Sequence, residues 1–254
     1  MVDLVNQFDI KYSSPPLDGR RCCLPSVTRF IVFNTMCQWN YRNIIMLLNY
    51  IVQLRLWCFY IPVRDKILSM DIENAANTIS ESDYGTHTLV IYEDLEKLRE
   101  FYSYYIKKRI EERNEVIQLA PFYETEDSVR KSLSEGHFSI DVEKWEKDKK
   151  SLIIVDSLEK YYGDETVESS YISSRKLVKD AKMMGKSGVS VLGDMGAFHY
   201  KHRIQELVDY ELFLPSHYDI DMKGICLYHQ KDFNRLSVGQ KQKVIDHHEI
   251  SLKI

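Results

Sequence analysis

The chain has 254 residues, of which 44% are hydrophobic and 28% are charged, and its formal net charge is -4. This length fits one medium domain with an extension, or two small domains. The composition excludes a fibre and a disordered tail, and the charge gives no overall basic surface for nucleic acid.

The composition changes between residues 69 and 70. Residues 1–69 contain four Asp, no Glu and eight basic residues, whereas residues 70–254 contain 34 acidic and 26 basic residues. Four of the five cysteines lie in the first part, and their spacing matches neither a disulfide framework nor a zinc pattern. We therefore expect a separate N-terminal extension over residues 1–69, reduced thiols and a cytoplasmic location.

One segment of the extension, residues 43–63, has about the length that spans a bilayer, but it contains Gln53 and Arg55. Three interpretations remain open. The segment is a membrane-associated helix, or a helix that packs on the domain or a partner, or the natural chain starts at Met70. No basic region begins the chain, so the segment is not a secretory signal.

From residue 86 onwards, short apolar runs alternate with helical patterns, and residues 70–85 are interpreted as a linker. The predicted strands are 87–92, 115–120, 138–142, 151–155, 189–192 and 224–228. The predicted helices are 94–112, 125–135, 167–184, 197–214 and 238–247. This alternation predicts one α/β domain over residues 86–254, with a mainly parallel sheet in a three-layer arrangement. Ligands of such folds bind at the carboxyl ends of the strands.

Short motifs occur in a definite order along this domain. They are His-x-x-x-x-Tyr-Glu (His87 to Glu93), Gly-Asp-Met-x-x-Phe (Gly193 to Phe198), Tyr210-Glu211, Ile225-Cys226-Leu227-Tyr228 and Asp246-His247-His248. With these motifs, the chain from about His87 to Ile254 resembles the MEDS family, a sensory domain of methanogen proteins and of a dichloromethane-responsive bacterial regulator. The resemblance implies a RecA/KaiC-like fold without a phosphate loop, and the sensing of small organic, hydrocarbon-derived molecules. The family usually has Glu where this chain has Asp194, and Trp where it has Phe198.

The turn after the first predicted strand decides against nucleotide hydrolysis. A phosphate loop needs glycines whose backbone N–H groups surround the phosphates, but this turn reads Glu93-Asp94-Leu95-Glu96-Lys97. The Gly185-Lys186-Ser187 tripeptide follows a predicted helix rather than a strand, which is the wrong order. We expect no ATPase activity and no cofactor.

Six residues are candidates for ligand binding: His87, Tyr92, Glu93, Asp194, Phe198 and Tyr228. Glu93 and Asp94 follow the first strand, so one is expected to cap the next helix and the other to remain free for a ligand. Asp194 either meets the ligand or closes a turn. The three aromatic residues line an apolar pocket or belong to the core. His87 begins its strand, away from the expected binding edge, and is either a ligand contact or a buried histidine. No catalytic or metal-binding residue is predicted.

These observations favour a sensory module that binds a small organic molecule and signals to a partner, without enzymatic activity. The partner is a second copy of the chain, or a separate signalling or transcription protein. Direct binding of nucleic acid is not expected. Membrane association through residues 43–63 is the alternative to a purely cytoplasmic location. Two other functions stay open: a degenerate KaiC-like nucleotide-binding protein, and a small-molecule enzyme that uses carboxylate and tyrosine chemistry.

Overall fold

The computed structural model describes residues 66–163 and 167–254. The strands in this part of the chain are β1 (Leu68–Ser69), β2 (His87–Tyr92), β3 (Val116–Ala120), β4 (Leu152–Ile154), β5 (Val189–Asp194), β6 (Met222–His229) and β7 (Ile250–Lys253). The α-helices are α1 (Ile72–Glu81), α2 (Leu95–Arg113), α3 (Glu126–Glu135), α4 (Ser157–Tyr162), α5 (Val167–Met183), α6 (Gly196–Tyr200), α7 (Ile204–Phe213), α8 (Gln230–Arg235) and α9 (Val238–His247). A π-helix spans Lys144–Asp148.

The strands form one parallel sheet in the order β1-β7-β2-β6-β5-β3-β4. Successive strand residues point to opposite faces, so Val90 packs beneath α1, α2 and α3, while Leu89 packs beneath α7 and α9. We call these two sides the α2 face and the α7 face. Helices on both faces confirm the predicted α/β fold with a three-layer, mainly parallel sheet.

Several predicted helix termini are present with the capping residues that the sequence provides. The Asp94 side chain accepts a hydrogen bond from the Lys97 amide and begins α2, and Asn114 ends that helix in the left-handed region at φ 52°. Ser237 and Gln240 form a capping box at the start of α9. These local interactions explain why the two helices were predictable.

The predicted strand over residues 138–142 was wrong. Ile140 donates its amide to the Leu133 carbonyl, and the Asp141 side chain accepts from the Lys144 amide, 3.1 Å away. These bonds turn the chain into the π-helix instead of pairing it with the sheet. Ile140 and Val142 are nevertheless buried against the α2 face, which accounts for the apolar alternation in the sequence.

The predicted helix over residues 197–214 is divided into α6 and α7. The break lies at His202, which has a φ of 56°, and the Arg203 amide donates to the Phe198 carbonyl at 2.9 Å. The His202 amide donates to the His199 carbonyl, which completes a Schellman termination. Neither Gly nor Pro lies at this break. The prediction, which depended on hydrophobic periodicity, therefore continued one helix across it.

Residues 70–85, interpreted as a linker, contain α1, whose Ala75, Ala76 and Ile79 side chains are fully buried on the α2 face. Asp71 caps this helix, and the short strand β1 precedes it. Strand β7 and helices α4 and α8 were also not predicted. Residues 43–63 lie outside the described residues, and within the described part no helix is both long and apolar enough to cross a membrane.

Candidate functional site

The central strands of the sheet end together at its carboxyl edge. Tyr92 of β2 is in register with His229 of β6, and Asp194 of β5 is in register with Leu227. The structure therefore brings two of the candidate residues, Tyr92 and Asp194, to the edge where the sequence placed them.

Tyr92 and Asp194 are hydrogen-bonded to each other. The Tyr92 hydroxyl donates to Asp194 Oδ2 at 2.8 Å, and the Gly196 amide donates to Asp194 Oδ1 at 2.9 Å. Both side chains are fully buried. Burial raises the pKa of Asp194 to about 7, and burial beside Asp194 raises the pKa of Tyr92 above its usual value.

The turn after β2 is occupied by paired carboxylates. Asp94 caps α2, as one of the two acids was expected to do. Glu93 is exposed and lies 2.9 Å from Lys253 Nζ and 3.0 Å from Lys97 Nζ. Hydrogen bonds from Lys253 and Lys97 lower the pKa of Glu93 to about 2, so this side chain is ionised and paired.

An open cleft of about 510 Å³ lies beside this turn. We call it the rim cleft, and its lining residues are Leu95, Tyr123, His229, Lys231, Asp232 and Arg235. The Tyr123 hydroxyl hydrogen-bonds to Asp232 Oδ2, and the His229 ring lies 5.3 Å from the Tyr123 ring and 5.2 Å from the Tyr92 ring. The rim cleft therefore combines aromatic surface with groups that donate and accept hydrogen bonds.

A second group of polar side chains lies inside the α7 face. His87 of β2, Glu211 of α7, Cys226 of β6 and His248 after α9 are all buried. Their donor atoms all lie within 4.8 Å of one another. We call these four residues the buried cluster.

The donor atoms of the buried cluster lie 3.3–3.8 Å apart in four pairs. His87 Nε2 lies 3.3 Å from Cys226 Sγ and 3.8 Å from Glu211 Oε2. Glu211 Oε2 also lies 3.4 Å from Cys226 Sγ and 3.5 Å from His248 Nε2. The carboxylate oxygen is thus near the other three donor atoms.

Burial determines the protonation of the buried cluster. It raises the pKa of Glu211 to about 7 and lowers the pKa of His248 to about 4. Burial and the neighbouring His248 and His247 also lower the pKa of His87, and burial raises the pKa of the Cys226 thiol. Both imidazoles are therefore neutral near pH 7.

The remaining candidate residues lie on the α7 face. The Tyr228 hydroxyl donates to Glu211 Oε1 at 2.5 Å. Phe198 packs against the rings of Tyr161, Tyr162 and Tyr210. Since Tyr92 packs on the α2 face, Tyr92, Tyr228 and Phe198 do not line one common pocket.

Comparison with known proteins identifies the family to which this domain belongs. A sequence model of the MEDS family, described as the methanogen/methylotroph, DcmR sensory domain, matches residues 86–248. The chain belongs to the MEDS family. No curated protein sequence matches the chain.

Two solved structures resemble the chain that carries this MEDS domain. One is a KaiC-like protein from the hyperthermophilic archaeon Pyrococcus horikoshii, with 16% identity, a TM-score of 0.43, and coverage of 63% of this chain and 68% of that one. The other is an ATPase domain with 11% identity, a TM-score of 0.44, and coverage of 79% of this chain and 81% of that one.

Sequence reasoning missed three members of the buried cluster in this MEDS domain: Glu211, Cys226 and His248. All three stand in motifs that carry the family resemblance, as His87 does. Metal-ligand patterns depend on short spacing, whereas these four residues are spread over more than half of the chain. The signal that was available is that four separate motifs each contribute one polar side chain. The rim-cleft residues Tyr123 and Asp232 gave no comparable signal.

Proposed function

We propose that this MEDS domain is a sensory module that binds a small, partly apolar organic molecule in the rim cleft, without hydrolysing nucleotide. The rim cleft itself carries the proposal. Its volume of about 510 Å³ lies within the range of small-molecule sites, and it stands at the carboxyl edge of a parallel sheet. The sensory description of the family agrees with this function.

The side chains of the rim cleft define the chemistry of the ligand. Leu95 and the Tyr123 ring provide apolar contact, and His229, Lys231 and Arg235 provide hydrogen-bond donors. Asp232 is already engaged, because it accepts from Tyr123 and lies 3.6 Å from Arg235. A ligand with a short apolar body and one hydroxyl, amine or halogen group would satisfy both kinds of surface.

The acidic turn after β2 supports binding of a ligand other than a nucleotide. The Asp94 side chain accepts a hydrogen bond from the Lys97 amide at the start of α2, so this N–H group is not free to bind a phosphate. The ionised Glu93 lies beside it and pairs with Lys97 and Lys253, so these two ammonium groups are already engaged. In the strand-end position where an ATPase holds magnesium, Asp194 is buried and bonded to Tyr92.

The same contacts weigh against the enzyme alternative. Catalysis by Asp194 and Tyr92 requires that a substrate reach their oxygen atoms, and both side chains are fully buried. The sensory proposal also includes a second copy of the chain or another protein that receives the signal, because ligand binding alone does not transmit one.

Thermal unfolding of the full chain tests the proposed function. The probes are short alcohols, methylated amines and small halocarbons, with ATP and Mg²⁺ as a separate arm. A ligand at 100 times its dissociation constant adds about 2.7 kcal/mol to the free energy of unfolding and raises the midpoint. We expect at least one organic probe, but not ATP with Mg²⁺, to raise it.

Variants locate the binding. Arg235→Ala removes a donor that lines the rim cleft and should reduce the stabilisation by the active probe. Arg203→Ala is the matched control, because Arg203 is exposed and pairs with Glu206 away from the cleft. Stabilisation by ATP with Mg²⁺ alone would contradict the proposal in favour of the nucleotide-binding alternative.

A further inference from the structure

The donor atoms of the buried cluster all lie within 4.8 Å of one another. The distances among His87 Nε2, Cys226 Sγ, Glu211 Oε2 and His248 Nε2 include 3.3, 3.4, 3.5 and 3.8 Å. A tetrahedral zinc ion with bonds of about 2.0–2.3 Å to N, O and S separates its ligands by about 3.3–3.8 Å. The four measured edges therefore match those of a tetrahedral metal site.

Neighbouring groups orient two of the donor atoms, those of His248 and Glu211. His248 Nδ1 lies 2.7 Å from the Val244 carbonyl, and a carbonyl only accepts, so Nδ1 carries the proton and Nε2 presents its lone pair. His248 Nε2 is buried without a hydrogen-bond partner. The Tyr228 hydroxyl donates a hydrogen bond to Glu211 Oε1, so Glu211 Oε2 remains available to bind a metal ion. Metal-binding histidines and carboxylates are commonly held in this way.

The charges of the buried cluster balance a divalent cation. Metal binding displaces the protons of the Cys226 thiol and of Glu211 to solvent. Two neutral imidazoles, one carboxylate and one thiolate then carry two negative charges in total, so a dication leaves no net charge inside the α7 face. The cluster is fully enclosed, and an unbalanced ion there would be costly. In the hydrogen-bond network alone, the lone pair of His248 Nε2 has no partner. A bound metal ion would accept this lone pair.

We propose that His87, Glu211, Cys226 and His248 bind one zinc-class divalent metal ion in a closed tetrahedral site. Nitrogen and sulfur donors favour zinc over magnesium and calcium, which prefer six or more oxygen ligands. All four positions are filled by protein, so the ion has a structural role. It joins β2, α7, β6 and the turn between α9 and β7. This site departs from our expectation of no metal, and it is separate from the rim cleft.

Cobalt spectroscopy of the full chain tests the site, since Co²⁺ replaces Zn²⁺ and gives an absorption band when a thiolate binds it. Cys22, Cys23, Cys37 and Cys58 are first changed to Ser, so Cys226 is the single thiol in the protein. We expect this chain to bind one Co²⁺ with a thiolate-to-cobalt band, and Zn²⁺ to displace it. Absence of the band would overturn the proposal.

Single variants in the same background identify the other ligands. His87→Ala and His248→Ala should each weaken Co²⁺ binding by at least about 100-fold, since loss of a group that merely orients a ligand costs about 10–100-fold. His137→Ala is the control, because His137 is exposed and distant in sequence from the cluster. An unchanged affinity in both test variants would overturn the proposal. Should either variant fail to fold, the spectrum of the parent chain still decides.

Discussion

At the scale of single residues, Asp194 is held in a site that favours its neutral form. Its pKa of about 7 in the folded chain lies above the ordinary value of 3.8, because the carboxyl is buried. Between about pH 4 and pH 7 the folded state therefore keeps a proton that the unfolded state releases. The contribution of Asp194 to stability falls as the pH rises through this window and is lowest above about pH 7.

Asp194→Asn should remove this pH dependence. The amide stays neutral, its oxygen can accept from the Gly196 amide, and its NH₂ group can donate to the Tyr92 hydroxyl. We expect the free energy of unfolding of the variant, relative to the unaltered chain, to rise by about 3 kcal/mol between pH 5 and pH 8. Urea unfolding at both pH values measures this difference.

Asp219→Asn provides the control for the pH series. Asp219 is exposed beside Arg175, and the hydrogen bond from Arg175 lowers its pKa below 3.8. Its carboxylate is ionised in both states from pH 5 to pH 8, so the Asp219→Asn difference should stay constant over that range. A constant difference for Asp194→Asn as well would show that its carboxyl is already ionised in the folded chain at pH 5.

At the scale of elements, α1 is anchored by a side chain from the sheet. Lys223 of β6 is buried, and its Nζ donates to the Ile79 carbonyl at 2.7 Å, to the Ser80 carbonyl at 2.9 Å, and to the Ser82 carbonyl. The last turn of α1 contains no basic residue of its own. A lysine from β6 therefore satisfies the carbonyls that this helix end leaves free.

Lys223→Met should loosen α1 before the rest of the sheet. The change keeps most of the apolar stem but removes all three hydrogen bonds. The Ser82 carbonyl loses its lysine donor, while Ser82 Oγ still donates to the Ile79 carbonyl and Arg109 to the Ser80 carbonyl. Each lost hydrogen bond costs about 0.5–1.5 kcal/mol. We expect a loss of about 3 kcal/mol in the free energy of unfolding, with faster hydrogen exchange in residues 72–81 than in α9. Lys243→Met, an exposed change on α9, is the control. Equal exchange in both helices would contradict an anchoring role.

Elements that depend on local interactions were predictable from sequence, and those that depend on distant partners were not. Asp94 begins α2 through a bond three residues away, and the β2 run is buried on both faces, so both patterns are complete within a short window. By contrast, α1 depends on Lys223, more than 140 residues later. The break at His202 requires a left-handed residue that no local composition marked.

The site shows the same division at the scale of the whole molecule. The alternation of strands and helices in the sequence was enough to predict that strand ends meet at the carboxyl edge of the sheet. Tyr92 and Asp194 are hydrogen-bonded to each other at that edge. The buried cluster required the actual strand order, which places β2 between β6 and β7. Only that arrangement brings His87 next to Cys226 and close to His248, which lies two residues before β7.

The folded unit extends upstream of the family match, which begins at residue 86. Helix α1 shares one apolar cluster with Phe101 and Tyr105 of α2, and Arg109 Nη1 donates to the Ser80 carbonyl at 2.7 Å. Removing α1 would expose this cluster and leave Arg109 and Lys223 without their carbonyl acceptors. Strand β1 contributes less, since it has two residues and both are exposed.

Two truncated chains separate these contributions. A chain of residues 70–254 keeps α1 and loses β1 with Lys66 and Ile67, whose contacts with the domain are few and partly exposed. We therefore expect its urea midpoint to stay close to that of the full chain. A chain of residues 86–254 loses the apolar contacts and both sets of carbonyl acceptors, and buried groups left without partners cost about 1–3 kcal/mol each. We expect this chain to unfold at a much lower urea concentration or to remain unfolded. If both chains unfolded at the same concentration, α1 would be an addition to a domain that is already complete at residue 86.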